Sequence, residues 1–273
     1  MSRARSVLYL PASNARAVEK ARGLACDVAV LDLEDAVAPE MKAEARTAAV
    51  AAAREGGFGP RLGVRINGLD TPWGADDLAA LRDAPVDLIV APKVENAATV
   101  RALSDGMRPG VELWAMIETP RALVDLRDIA EAGGALKGLM LGVNDLAKDL
   151  KTGASPDREP LKPWLAAVVA HARANGLLAL DGVFNRFKDE AGFAAECAQG
   201  RLYGFDGKSL IHPSQIEGAN AAFGPTAEEI AWARRVVAAF AAPEAEGLGV
   251  IRVEGEMVER LHLAAAQDLL GGL

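Results

Sequence analysis

Short apolar runs recur along the chain, at Val7–Leu10, Val28–Leu31, Leu62–Ile66, Leu88–Val90, Leu113–Ile117, Gly138–Leu141, Leu177–Leu180 and Leu202–Phe205. Each is continuous rather than alternating, and Gly, Pro or a charged residue bounds it. A strand covered on both faces reads this way, because neither face meets water. Longer Ala-, Leu-, Arg- and Glu-rich stretches of helical spacing lie between them: Asn14–Gly23, Glu40–Glu55, Gly74–Arg82, Asn96–Asp105, Pro120–Ala132, Pro163–Asn175 and Phe187–Gln199. Ser13 and Asn14 mark one helix start as caps, and Gly176 marks a stop. Strand–helix alternation repeated about eight times predicts an α/β fold, a (β/α)8 TIM barrel. An open doubly wound sheet is the competing architecture. It is weakened because no Gly-x-Gly-x-x-Gly and no Walker loop follows any strand.

After Phe205 the rhythm changes. Pro213–Phe223 and Thr226–Ala242 read as helices, Pro243–Gly247 as a polar linker, Gly249–Val253 as a short strand and Glu256–Leu270 as a last helix. The expected division is a barrel over residues 1–223, carrying the metal and substrate site, and a C-terminal helical extension over 224–273. That extension would serve as a lid or as an element exchanged between subunits.

Composition narrows function more than fold. The hydrophobic fraction of 51% and charged fraction of 25% are those of a folded globular chain, which excludes a disordered or collagen-like one. A net charge of −8 argues against nucleic-acid binding, which needs a basic surface. With Cys 2 and His 3, a zinc site rich in either residue is not expected. No apolar stretch approaches the ~20 residues that span a bilayer, so no membrane partner is expected. The Val7–Leu10 run stops at Pro11, too short for a signal sequence. Cys26 and Cys197, far apart in apolar surroundings, read as free buried thiols, and a cytoplasmic location is expected.

A barrel carries its chemistry at the carboxyl ends of its strands. The residues following the runs are Asn14 and Arg16; Asp32, Glu34 and Asp35; Arg65 and Asn67; Lys93; Glu118; Asn144 and Asp145; Asp181; then Asp206, Lys208 and His212. So many carboxylates around one mouth repel one another unless cations balance them. Without clustered Cys or His the donors are hard oxygens, which suit Mg2+. Glu118 and Asp145 are the candidate ligands, each supplying one oxygen, with Asp32, Glu34 and Asp35 accepting from metal-bound water. The Arg65 guanidinium either grips a substrate carboxylate in bidentate fashion or pairs internally with a strand-end acid. Lys93 has the same two options. His212 reads as a turn residue or a substrate-loop contact.

The same positions resemble a known family. Asp32-Leu33-Glu34-Asp35-Ala36-Val37, followed by Lys42 and Arg46, is similar to a signature of the citrate lyase β-subunit-like proteins, grouped with the malyl-CoA and citramalyl-CoA lyases in the HpcH/HpaI aldolase/citrate lyase superfamily. Val64-Arg65-Ile66-Asn67, Pro92-Lys93-Val94-Glu95, Ile117-Glu118-Thr119, Gly142-Val143-Asn144-Asp145-Leu146 and Ile211-His212-Pro213-Ser214-Gln215-Ile216 resemble its further motifs, in order. Gly255-Glu256-Met257-Val258-Glu259 resembles its tail element. The resemblance covers nearly the whole chain.

It implies a TIM barrel assembled as a homotrimer or hexamer, with Mg2+ on Glu118 and Asp145 and a ketoacid carboxylate on Arg65. It implies cleavage or formation of a C–C bond in a 3-hydroxyacyl-CoA thioester, such as malyl-, β-methylmalyl- or citramalyl-CoA, giving an acyl-CoA and a 2-ketoacid. Glu259 stands at the tail acid that reaches a neighbouring subunit's site and moves the proton. Asn14, Arg16, Lys20, Lys93 and His212 are candidate substrate contacts, with Arg16, Lys20 or the 206–215 loop on the coenzyme. Ala12 stands where Gly is usual, Asn144 where Glu is common, and Glu254 and Glu259 where Asp is usual. Two alternatives remain. One is the acyl lyase subunit of a citrate lyase complex using a carrier-protein thioester. The other is a class II aldolase for free hydroxy-ketoacids, whose histidine near the second strand is missing beside Asp32–Asp35.

Overall fold

A strand points successive side chains to opposite faces, and in this chain both faces are covered. The computed structural model describes residues 4–271. Its barrel strands are β1 Ser6–Pro11, β2 Val28–Asp32, β3 Arg61–Arg65, β4 Leu88–Ala91, β5 Glu112–Ile117, β6 Leu136–Leu141, β7 Leu178–Asp181 and β8 Gly207–Leu210. Each pairs in parallel with the next, and β8 returns to β1 through Ser6↔Lys208, Val7↔Ser209 and Leu8↔Leu210, closing the barrel. The interior is filled by Val7, Val30, Val90, Trp114, Met140 and Leu180, among others. The alternating positions, such as Leu8, Leu31, Val64, Ile89 and Leu139, belong to the second core under the surrounding helices. Each such side chain contributes roughly 1.5–3 kcal/mol by leaving water.

The eighth strand is not where the apolar pattern puts it. Leu202 and Tyr203 end the helix Glu190–Tyr203, Gly204 turns the chain with a left-handed φ of 95°, and the strand begins at Gly207. A lysine at its second position breaks the apolar run. Lys208 is fully buried, and its ammonium reaches Asp181 Oδ2 at 3.0 Å and Glu196 Oε1 at 2.7 Å. Arg158 joins them, donating to Asp181 Oδ1 at 2.7 Å. Burial alone would raise Asp181, but the charges of Lys208 and Arg158 override it and hold the carboxyl below its usual range. Asp181 and Lys208 are therefore not mouth residues. Their strand positions alternate with those of Leu180 and Ser209, so they point outward, toward the helix carrying Glu196.

Two further expectations change. Pro120–Ala132 is broken at Asp125 into Pro120–Val124 and Leu126–Ala130, and a helix absent from the sequence reading, Val143–Asp149, follows β6.

The chain divides into two compact units, one ending at Phe223 with the barrel, the other beginning at Gly224. In the second, a Thr226/Glu229 capping box opens the helix Ala227–Ala241. This unit is not purely helical. Val250–Val253 (β9) and Glu256–Glu259 (β10) form an antiparallel hairpin, and the helix expected from Glu256 starts at Arg260 instead. The turn needs positive φ at both Glu254 (51°) and Gly255 (90°), and the hairpin turns Ile251, Val253 and Val258 onto the helices. Among the described residues no helix is long and apolar enough to cross a membrane.

Candidate active site

The site grows from the parallel pairing of β2 and β3, which sets Asp32 beside Arg65 in register. The Arg65 fork closes on Asp32, with Nε to Oδ1 at 2.7 Å and Nη2 to Oδ2 at 2.6 Å. Its Nη1 lies 2.7 Å from Glu34 Oε2, and its plane sits 4.9 Å above the centre of the Tyr9 ring. Of the two options open to Arg65 from sequence, internal pairing is made, while the residue also lines the cavity described below. Asp32 in turn accepts from the backbone of Glu34 and Ala36, which curls the acidic loop over the strand end.

A buried polar network supports that loop from below. The Lys42 ammonium donates to the carbonyls of Leu33 (2.9 Å) and Glu34 (2.7 Å) and to Asn67 Oδ1 (2.8 Å). Asn67 donates to Asp77 Oδ2 at 2.6 Å, and Arg46 donates to Asp77 Oδ1 at 2.7 Å. Sequence reasoning missed Asp77, because an acid in an amphipathic helix reads as solvated. The i,i+4 spacing of Lys42 and Arg46 beside three acids was the available signal.

Glu118 follows β5 and is 1% exposed. Its Oε1 accepts the backbone N–H of Lys93 at 2.8 Å, while the Lys93 ammonium reaches Glu34 Oε1 at 2.9 Å. Burial, then the charges of Glu34 and Asp145, push the Glu118 carboxyl up to about 7. Gly142 passes so close that a Cβ there would collide with both Cβ and Oε2 of Glu118. Asp145 lies half-buried in the first turn of Val143–Asp149, the helix missing from the sequence reading.

These groups meet at a cavity of about 400 Å3 at the carboxyl ends of the strands. Asp32, Asp35, Arg65, Glu118 and Asp145 line it, with Leu10, Met116, Leu141, Val183 and Ile211 as apolar wall. Tyr9, unremarked in the sequence, lines it too, its hydroxyl donating to the thioether of Met140 at 2.9 Å. Among the described residues no group of three or more His, Cys, Asp or Glu side chains is arranged to hold a metal. Of the four carboxylates lining it, Asp32 and Asp35 are paired with Arg65, which leaves Glu118 and Asp145 as donors. That set fits Mg2+, which takes one or two protein carboxylates and leaves its remaining positions to water and substrate.

The other candidates are placed differently. Asn14 caps the helix Ala15–Ala21, accepting from the Ala17 N–H, and Arg16 and Lys20 are exposed on that helix. His212 stacks on Phe187, ring centres 4.5 Å apart, and caps the turn beginning at Pro213. Glu259 ends β10 in the second unit, its N–H donating to His262 Nδ1 at 2.9 Å. Asn144, where the resembled motif commonly has Glu, exchanges amide hydrogen bonds with Asn185 at 2.8 and 3.3 Å.

The family model for HpcH/HpaI aldolase/citrate lyase matches residues 5–213. The chain is 48% identical over 267 residues to a (3S)-malyl-CoA thioesterase of Cereibacter sphaeroides, covering 97% of this chain and 93% of that one. It is 34% identical over 296 residues to the L-malyl-CoA/beta-methylmalyl-CoA lyase of Rhodobacter capsulatus, covering 97% and 93%. Among solved structures, protein CitE from Mycobacterium tuberculosis, in complex with magnesium, acetoacetate and coenzyme A, superimposes with a TM-score of 0.80 at 34% identity, covering 98% of this chain and 97% of that one.

Proposed function

The chain belongs to the HpcH/HpaI aldolase/citrate lyase family and is an enzyme of carbon–carbon bond chemistry, and on that premise we propose that its substrate is a 3-hydroxyacyl-CoA thioester of the malyl-CoA class, handled with Mg2+. The convergence of Glu118, Asp145 and Arg65 on one cavity carries this reading. Glu118 and Asp145 would hold Mg2+, which would supply a Lewis acid for the oxygens of the 2-hydroxy acid part. Arg65, pinned by Asp32, presents fixed positive charge to the substrate's carboxylate without reorganising. The apolar wall excludes water from the reacting bond. In cleavage the bond between carbinol carbon and thioester α-carbon breaks, its electron pair passes to the thioester enolate, and the hydroxyl proton passes to solvent as the carbinol oxygen becomes the ketoacid carbonyl. The proton that quenches the enolate is assigned to Glu259 of a neighbouring subunit, as the family resemblance implies.

A second reading has a specific observation behind it. The relatives at 47–48% identity are named (3S)-malyl-CoA thioesterases, so hydrolysis of the same thioester, with water adding to the acyl carbon and the C–S bond breaking, competes with C–C cleavage. Incubation with Mg2+ and malyl-CoA separates the two. Cleavage yields glyoxylate and acetyl-CoA with no free thiol, whereas hydrolysis yields malate and one equivalent of coenzyme A thiol. We expect glyoxylate, trapped as its phenylhydrazone. Thiol release without glyoxylate would overturn the lyase reading.

Metal binding is expected to depend on pH. In the metal-free protein Glu118 titrates near 7, above its ordinary range. Below that pH a proton must leave for Mg2+ to bind, so affinity should rise about tenfold per pH unit from 5.5 and level off above 7. The same raised value makes ionised Glu118 a cost to the metal-free fold, growing as pH rises from the ordinary carboxylate range to about 7 and constant above it. Mg2+ should therefore raise the melting temperature more at pH 8 than at pH 5.5, and equal shifts would contradict the assignment of Glu118.

Two coarser features complete the proposal. A homotrimer or hexamer is supported by Leu248, Val250, Met257 and Leu261, large apolar side chains exposed in the second unit. A cytoplasmic location is supported by two buried free cysteines.

A further inference from the structure

Lys93 stands in a backbone conformation that side chains avoid. Its φ is 50°, in the left-handed region, where an L-residue without a specific reason is uncommon. Such strain persists only where the surroundings over-determine it. Here both ends of the residue are engaged. The backbone N–H meets Glu118 Oε1 at 2.8 Å, and the ammonium meets Glu34 Oε1 at 2.9 Å. Glu34 is 7% exposed, and among the described residues its other oxygen has no hydrogen bond, although Arg65 stands 2.7 Å away. The ammonium of Lys93 is thus the hydrogen-bond donor to a buried carboxylate that binds it firmly in return.

We propose that Lys93 is a positioning residue. Its pairing with Glu34 holds the left-handed turn, and the turn holds Glu118 by one oxygen, leaving the other for the metal. The role differs from the substrate contact expected from sequence, because the ammonium is already committed within the protein. This inference rests on the metal reading of Glu118.

The distinguishing experiment compares Lys93→Gly with Lys93→Met in the full-length protein. Both lose the same charge. Glycine adopts the left-handed conformation freely, whereas methionine keeps its cost and has nothing to hold it. By calorimetric titration, Lys93→Met should bind Mg2+ about tenfold more weakly than Lys93→Gly, the scale seen when a partner of a metal ligand is removed. Hydrogen exchange at the amide of residue 93 reads the same contact without metal. It should be slow in the wild type and in Lys93→Gly, and about tenfold faster in Lys93→Met. Glu34→Gln, which weakens the pairing without altering residue 93, should also speed that exchange, and it replaces Lys93→Met if that variant fails to fold. Equal Mg2+ affinity and equal exchange in the glycine and methionine variants would overturn the proposal. If the wild type binds no Mg2+, the metal reading falls, and the exchange rates alone decide the role of Lys93.

Discussion

Glu118→Gln and Asp145→Asn should each cut turnover of the malyl-CoA-class thioester by about 10³-fold, equivalent to about 4 kcal/mol of transition-state stabilisation. The loss should be in kcat/KM, with no recovery at high Mg2+. The cause is specific. These are the two cavity carboxylates that Arg65 does not pair, and burial, then the charges of Glu34 and Asp145, raise Glu118 to about 7. Glu118→Gln removes a charge that burial and its acidic neighbours disfavour, so the metal-free variant should melt no lower than the wild type at pH 8. Lost activity together with an undiminished melting temperature separates a ligand role from a structural one. Full activity in either variant would exclude that residue as a metal ligand.

The largest expected effect on stability lies away from the cavity. Lys208→Met should destabilise the protein by about 3–5 kcal/mol, the range for removing one member of a buried ion pair. Lys208 and Asp181 are both 0% exposed, and the substitution leaves Asp181 facing Glu196 with only Arg158 to compensate. Asp181 is held below its usual range. Its contribution is therefore present above about pH 4, the ordinary carboxylate value, and is lost as pH falls below it. The difference between wild type and variant in urea unfolding should accordingly shrink in strong acid. A loss under 1 kcal/mol at pH 7 would mean that the cluster relaxes or admits water.

Seven of the barrel strands were legible because a strand covered on both faces leaves an uninterrupted apolar run. The eighth was not, because Lys208 sits in the middle of four residues and its partners, Asp181 and Glu196, are distant in sequence. The acids of the cavity were legible for a related reason. Asp32 and Glu118 each follow an apolar run at once, where a barrel places its mouth, and Asp145 comes four residues after the end of another. The state of Arg65 was not legible, since substrate grip and internal pairing need the same residue at the same position, and only the register of β2 with β3 decides which partner it meets. The role of Lys93 was hidden for another reason. The decisive group is its backbone N–H, whose direction depends on a φ angle that no residue type announces. Tyr9 and Asp77 were invisible because each looks like its commoner use, a core aromatic and a solvated acid.

The position of Lys208 bears also on how the barrel finds its closure. β8 must dock on β1, some two hundred residues earlier, and the strands themselves offer little to distinguish one alignment from the next. A slip of one residue would turn Lys208 inward against Val7 and Leu180 and carry Ser209 out toward the helices. The side-chain period of a strand makes that exchange complete, and an unpaired ammonium in an apolar interior makes it prohibitive. The lysine therefore works as a registration pin. It is costly to bury in any alignment, and the native one is where Asp181 stands beside it to receive its charge. The stagger of the barrel at its seam is selected in this way by electrostatics.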